Sequence, residues 1–214
     1  MAVLDSHEQE QLEAFKTWWR ENRNQILGGI LIVIVAAGGW RGWQYYRHQQ
    51  DVGAAILYQQ FFQQLGSNDP KRINDAAAAV MDKFSSTPYA TRAALLAAQA
   101  NEQSSDKARA KTQLQWVIDH AGEDTLKDVA RLRMVAMLLD EKNYADALKL
   151  LDTKHPDSFD GLYDDLRGDV LSAQGKIDEA RSSYKLAYEK TDPQSMYRNL
   201  IQMKLDALGA AKSN

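Results

Sequence analysis

The sequence predicts an all-α protein: a single N-terminal transmembrane helix followed by a solenoid of helical repeats. Three observations support this fold class. Residues 24–40 form an uncharged, strongly apolar run, amphipathic stretches of about a dozen residues follow it, and turn-forming residues separate those stretches. The 44% apolar content of the 214 residues is enough for a sizeable buried core. Disorder is therefore excluded for most of the chain.

For the apolar run we predict a transmembrane helix over residues 25–46. A helix of this length spans about 30 Å, the thickness of the hydrocarbon core of a bilayer. Trp18 and Trp19 precede the run, and Trp40 and Trp43 close it. Aromatic residues on both sides are typical of a segment that crosses both membrane surfaces.

A buried core helix or a cleavable signal peptide is the alternative for this run. A signal peptide starts with a short basic region, whereas about 25 residues with five acidic side chains come first here. An uncleaved anchor is therefore favoured.

The basic residues beside the span indicate its orientation. Lys16, Arg20 and Arg23 on the N-terminal side narrowly outnumber Arg41 and Arg47 on the C-terminal side, which favours a cytoplasmic N-terminus. On this basis the chain has a cytoplasmic tail (residues 1–24), a single-pass type II span and a periplasmic domain (residues 47–214).

Two short features near the span are candidates for further contacts. Gly38 and Gly42 have the small-xxx-small spacing that lets another membrane helix approach closely. In the tail, Leu12, Phe15 and Trp19 recur at helical spacing. This face fits either a membrane surface or a cytoplasmic partner.

The rest of the chain is predicted to consist of helices joined by short turns, as in a solenoid of helical hairpins. Breaks are predicted at residues 66–70, 85–88, 103–106, 121–124, 141–143, 155–156, 175 and 192–193.

The clearest repeat unit covers residues 161–194. Gly168 and Ala180 are small residues where two paired helices would touch, Gly175 supplies a turn between them, and Pro193 ends the second helix. The spacing matches the 34-residue tetratricopeptide pattern.

Two earlier copies are weaker. Ala147, after a turn at residues 142–144, precedes Ala180 by about one repeat, and a third copy centres on Ala108 or Ala110. A non-repeating helical bundle is the alternative.

Several segments resemble the YfgM family. The resemblance is carried by residues 11–22, by the end of the span at 38–41, by the last repeat at 165–182 and by the C-terminal motif at 202–205. It extends over nearly the whole chain, although residues 49–123 match in helix pattern more than in residue identity.

The resemblance implies an ancillary subunit of the SecYEG translocon in the inner membrane of a Gram-negative bacterium. It also implies a periplasmic, membrane-anchored, PpiD-like isomerase-type chaperone as partner, translocating client proteins destined for secretion or the outer membrane, and a cytoplasmic response regulator. A general periplasmic scaffold for another envelope complex, or a regulator acting through the tail, is the alternative function.

Neither composition nor motifs predict an enzyme, a cofactor or a metal. The net charge is −3, and the charged residues form no block of one sign that would favour binding to nucleic acid. The sequence has no cysteine, so thiolate metal sites and cysteine nucleophiles are excluded. The four histidines are scattered, and H-E-x-x-H, G-x-S-x-G and phosphate-loop motifs do not occur. Asp164, Asp165 and Asp169 are interpreted as a solvated helix face.

We place a candidate binding groove on the first helices of the last two repeats. Repeats that capture acidic C-terminal tails use basic and amide side chains there, because a carboxylate needs charge-assisted donors. The side chains here are acidic or apolar, so we expect the groove to reject such tails and to bind a folded domain or an apolar segment. The predicted positions are Leu132, Ala136, Leu139, Leu162, Asp165, Asp169, Ser172 and Ala173.

Overall fold

The computed structural model describes residues 6–67 and 69–210, and all regular secondary structure in these ranges is helical. This confirms the all-α prediction. A short 3₁₀ helix covers Asp157–Phe159. The helices are α1 Ser6–Leu65, α2 Pro70–Lys83, α3 Pro88–Gln103, α4 Lys107–His120, α5 Asp124–Asp140, α6 Tyr144–Leu151, α7 Asp160–Ala173, α8 Ile177–Lys190 and α9 Met196–Ala210.

Every predicted break coincides with a gap between two helices. Local chemistry explains these ends. The Asp69 side chain accepts hydrogen bonds from the backbone N–H groups of Lys71 and Arg72, which caps α2. Pro70 and Pro88 occupy the first turns of their helices, where the missing N–H group is not needed.

Helix α1 is longer than any predicted segment, because 60 residues join the tail, the span and the first helix of the repeat domain. It contains no proline, and glycine costs a helix only about 1 kcal/mol per residue. The helix is long and apolar enough to cross a membrane. Ile32, Val33 and Val35 are 71%, 67% and 65% exposed, unlike the side chains of a buried core helix.

The chain divides into two compact units, Met1–Gln50 and Asp51–Asn214. The second unit contains three apolar clusters along its length, which include Phe61, Leu114 and Tyr184 respectively. Such a series of local cores is typical of a repeat protein. The limits predicted from the sequence, residues 25–46 for the transmembrane span and residues 47–214 for the periplasmic domain, stay predictions.

The hairpins α3–α4, α5–α6 and α7–α8 close with the same turn. Ser105, Lys142 and Gly175 have φ values of 64°, 60° and 77°. In each turn the next residue donates a backbone hydrogen bond of 2.8–2.9 Å to a carbonyl five residues earlier, as in a Schellman motif. Three equivalent turns indicate three equivalent repeat units.

A fully buried alanine follows each turn by five residues, at Ala110, Ala147 and Ala180. The earliest repeat copy, for which the sequence leaves a choice between Ala108 and Ala110, is therefore centred on Ala110. In the last repeat a Cβ atom on Gly168 would lie 2.5 Å from Cδ1 and Cε1 of Tyr184. The two helices thus touch where the small residues were predicted.

Candidate protein-binding surface

The predicted groove positions on α5 are accessible. Ala136 is exposed, while Leu132 and Leu139 are half-buried. Ala136 and Met137 line a cavity of about 290 Å³ that also has basic and acidic side chains on its walls. This part of the surface can receive both apolar and polar groups.

The predicted positions on α7 differ strongly in accessibility. Leu162 is 36% exposed, and Asp169 and Ser172 are half-buried. Ala173 is exposed. Asp165, by contrast, is only 1% exposed. The interpretation of this acidic face as solvated is therefore wrong for Asp165.

Helix α9 covers Asp165. The carboxylate oxygen Oδ2 accepts hydrogen bonds from the Tyr197 hydroxyl at 2.5 Å and from Lys204 Nζ at 2.8 Å. Burial, followed by the hydrogen bond to Asp165, raises the pKa of Tyr197 above its usual value. The Asp165 side chain is engaged within the domain and is not available to a ligand at the surface.

Asp169 belongs to the same network. It accepts hydrogen bonds from the Tyr184 hydroxyl at 2.7 Å and from Lys204 Nζ at 2.8 Å. Burial and the bond to Asp169 raise the pKa of Tyr184. Our expectation that the groove rejects acidic tails rested on two uncompensated carboxylates, and Lys204 removes that basis. A binding role for the groove residues stays a prediction.

Sequence reasoning missed the α9 side of this network. Tyr197, Ile201, Lys204 and Leu208 recur at helical spacing and form the inward face of α9. The apolar members of this face predict a packed helix. Nothing in the local pattern shows that Lys204 meets carboxylates 39 and 35 positions earlier.

A larger cavity beside α4 was also missed. It measures about 540 Å³, and its walls include Met81, Trp116 and Met134. The His120 ring stacks on Trp116 with the ring centroids 4.6 Å apart. Trp116 is the one tryptophan that lies outside the first 43 residues, and this isolation is the signal that could have drawn attention to it.

The candidate features of the first unit lie on open helix surface. A Cβ atom added to Gly38 or Gly42 would meet nothing within 4 Å. In the tail, the Phe15 ring lies 6.0 Å from that of Trp18 and 6.5 Å from that of Trp19. Helix packing at the glycines, and membrane or regulator binding at the aromatic face, stay predictions.

A stack of helical hairpins with a mixed apolar and charged surface defines a helical-repeat protein of the protein-binding kind. The model of a tetratricopeptide repeat-like domain family matches residues 16–210. The chain belongs to this family, and within it to the YfgM family that its N-terminal and last-repeat motifs indicate.

Its curated relatives carry the name "Ancillary SecYEG translocon subunit". One from Neisseria gonorrhoeae is 30% identical over 205 residues, and one from Escherichia coli is 29% identical over 205 residues. Each alignment covers 94% of this chain and 97% of the relative. No solved structure matches the chain.

These findings define the kind of protein. An ancillary translocon subunit with tetratricopeptide-like repeats is a non-enzymatic adaptor, which confirms the prediction that the chain is not an enzyme. Translocon association among the relatives and one apolar N-terminal helix fit an inner-membrane protein.

Proposed function

We propose that this chain is an ancillary subunit of the SecYEG translocon, held in the bacterial inner membrane by α1. The observation that carries the proposal is the similarity to relatives of that name over 94% of the chain. This similarity is not confined to the repeats, since the family model begins at residue 16, before the apolar run.

In this proposal the N-terminus is cytoplasmic and the repeat domain is periplasmic. The basic flank at Lys16, Arg20 and Arg23 supports this orientation. A periplasmic repeat domain stands where polypeptides emerge from the translocon, so it can bind them or a chaperone that receives them.

We further propose that the repeat domain is an adaptor between translocating clients and a membrane-anchored, PpiD-like isomerase-type chaperone. The cavity beside α4 supports this role because Trp116 and two methionines give apolar surface to a wall whose other residues are polar. Methionine side chains adapt to differently shaped apolar groups, which suits a binder of many clients. Ala136 and Leu162 add accessible apolar surface on α5 and α7.

Co-purification tests the first proposal. The full-length chain, tagged at its C-terminus and extracted in mild detergent, should bring down the translocon subunits. A matched control carries an unrelated apolar helix in place of residues 25–46. Recovery of another envelope complex without translocon subunits would favour the general scaffold instead.

A binding titration tests the adaptor role. Trp116→Ala should weaken binding of an unfolded apolar client by about tenfold or more, the scale of one buried aromatic anchor. Arg109→Ala changes an exposed residue of the same helix that does not line the cavity, and it should have little effect. Ala136→Arg tests the α5 cavity separately. Far-UV circular dichroism of each variant checks that the helices remain. Unchanged binding in both variants would place the client site elsewhere.

A further inference from the structure

A further cavity lies between the first half of α5 and the segment that joins α6 to α7. It measures about 400 Å³, which is within the range of about 300–1,000 Å³ typical of ligand pockets. It shares no lining residue with the cavity beside α4. Its walls are formed by Asp124, Asp128, Arg131, Lys154, His155 and Pro156. We refer to it as the α5 pocket.

The α5 pocket lies where the regular pattern of the repeats is interrupted. Helices α4 and α8 each contain 14 residues, whereas α6 contains 8. The turn at Lys142 is nevertheless followed by the turn at Gly175 after about one 34-residue repeat. The residues by which α6 is shorter are therefore present as a loop, and residues 154–156 of this loop form one wall of the pocket.

Asp128 gives this pocket a buried acceptor that lacks a donor. The residue is 0% exposed. Its oxygen Oδ1 accepts hydrogen bonds from the Tyr163 hydroxyl at 2.8 Å and from the Arg131 guanidinium at 2.6 Å. Its other oxygen, Oδ2, accepts no hydrogen bond from the residues that the structure describes. A buried carboxylate oxygen without a donor is unfavourable, so a ligand gains affinity by donating a hydrogen bond to Oδ2.

The charged groups of the wall leave one cation without a partner. Both carboxylates are already paired, since Lys127 lies 3.3 Å from Asp124 and Arg131 lies 2.6 Å from Asp128. Lys154 is exposed, and within the described ranges it forms no ion pair. The wall therefore favours an anionic group beside Lys154. The guanidinium of Arg131 has further N–H groups that can donate hydrogen bonds to the same anion.

The loop is fixed to the helices that it faces. The His155 ring stacks on the Tyr163 ring with the ring centroids 3.8 Å apart, and the Tyr163 hydroxyl bonds to Asp128. The backbone that carries Lys154 is thereby attached to the group that supplies the free acceptor. Such preorganisation lowers the entropy that a ligand loses on binding.

The two kinds of group restrict the ligand. A simple cation would meet Arg131 and Lys154, and a simple anion would leave Asp128 Oδ2 without a donor. An acidic residue of a polypeptide provides both an anion and, a few bonds away, a backbone N–H donor. We propose that the α5 pocket binds such a residue, with its carboxylate at Lys154 and Arg131 and a backbone N–H group donating to Asp128 Oδ2. This binding does not require the translocon, so it can fail while co-purification succeeds.

Saturation-transfer NMR with the full-length chain in nanodiscs tests the ligand class. The probe is a short glycine peptide with one aspartate at its centre, acetylated and amidated at its ends so that the aspartate carries the only charge. This peptide should bind. The same peptide with asparagine should bind about tenfold more weakly or less, because a charge-assisted hydrogen bond is lost. Sulfate at equal concentration should not displace the aspartate peptide.

Variants of the chain locate the site. Lys154→Glu should weaken binding of the aspartate peptide by about tenfold or more. Lys149→Glu is the matched control, because Lys149 is an exposed lysine of α6 that does not line the pocket. Asp128→Asn keeps one oxygen for Tyr163 and Arg131 but replaces the free acceptor by a donor, so it should weaken binding of both peptides.

Far-UV circular dichroism checks that each variant is folded, and the pair of lysine variants decides the outcome if Asp128→Asn is not. Three results would overturn the proposal: no binding of the aspartate peptide, displacement of that peptide by sulfate at equal concentration, or equal losses of affinity in Lys149→Glu and Lys154→Glu.

Discussion

Gly168 lies at the closest contact between the two helices of the last repeat. An alanine there would place its Cβ atom 2.5 Å from the Tyr184 ring, and the hydrogen bond to Asp169 holds that ring. We expect Gly168→Ala to lower the free energy of unfolding by about 1–3 kcal/mol through overpacking. The gain of up to about 1 kcal/mol in helix propensity offsets only part of the cost of overpacking, so the net change should still be destabilising.

Urea unfolding of the repeat domain, residues 51–214, measures this effect. Gly209→Ala is the matched control, since the added Cβ atom meets nothing within 4 Å. It should stabilise the domain by up to about 1 kcal/mol. Destabilisation of equal size in both variants would show that the Tyr184 contact does not determine the effect.

Tyr163 gives the domain a defined sensitivity to alkaline pH. Burial, followed by the hydrogen bond to Asp128, raises the pKa of Tyr163 to about 12. In the unfolded chain a tyrosine ionises near pH 10. The contribution of Tyr163 to stability is therefore complete below pH 10 and is lost as the pH rises to about 12.

Tyr163→Phe should reduce the slope of unfolding free energy against pH between pH 10 and 12. Part of the slope should remain, because the pKa values of Tyr184 and Tyr197 are raised as well. Tyr89→Phe, at a ring that packs on Tyr58, controls for loss of a hydroxyl. An unchanged slope in Tyr163→Phe would contradict the assignment.

At the level of elements, the three hairpin turns have one geometry but different residues. Lys142 occupies the left-handed position that Gly175 occupies one repeat later. A side chain there costs about 1–2 kcal/mol relative to glycine. Glycine also loses more backbone entropy on folding, which offsets part of this gain, so Lys142→Gly should stabilise the domain by up to about 1 kcal/mol. Gly175→Ala should destabilise it by about 1–2 kcal/mol.

Thermal or urea unfolding of both variants compares the turns directly. Lys142→Ala keeps a Cβ atom and removes only the charge, so it should leave the stability within about 0.5 kcal/mol. If Lys142→Ala stabilises the domain as much as Lys142→Gly does, backbone geometry is not the cause.

For the molecule as a whole, the sequence was a good guide to features set by neighbouring residues. Caps, prolines and glycines placed every break, and small residues placed the contact between Gly168 and α8. Features set by distant residues were not predictable. The pairing of Tyr163 with Asp128 joins positions 35 apart, and that of Lys204 with Asp165 joins positions 39 apart. Asp165 was therefore mistaken for a surface residue.

The proposed topology gives a prediction at the same scale. A reporter fused after residue 214 should behave as periplasmic in intact cells, and one fused before Leu12 should behave as cytoplasmic. The reason is that the basic flank favours retention of the N-terminal side of the span in the cytoplasm. Protease protection in spheroplasts provides an independent measurement. The reverse pattern would end the translocon proposal.

The Lys204 network also sets an order of events in time. A chain is made from its N-terminus, and folding follows as segments appear. The helix that carries Asp165 and Asp169 emerges before Lys204, which comes 39 and 35 residues later. Until then the two carboxylates lack their cation, and Asp165 also lacks the helix that covers it. The α7–α8 hairpin therefore reaches its fully paired state only after α9 has been made, so that a contact between distant residues ties the completion of this hairpin to a later stage of synthesis.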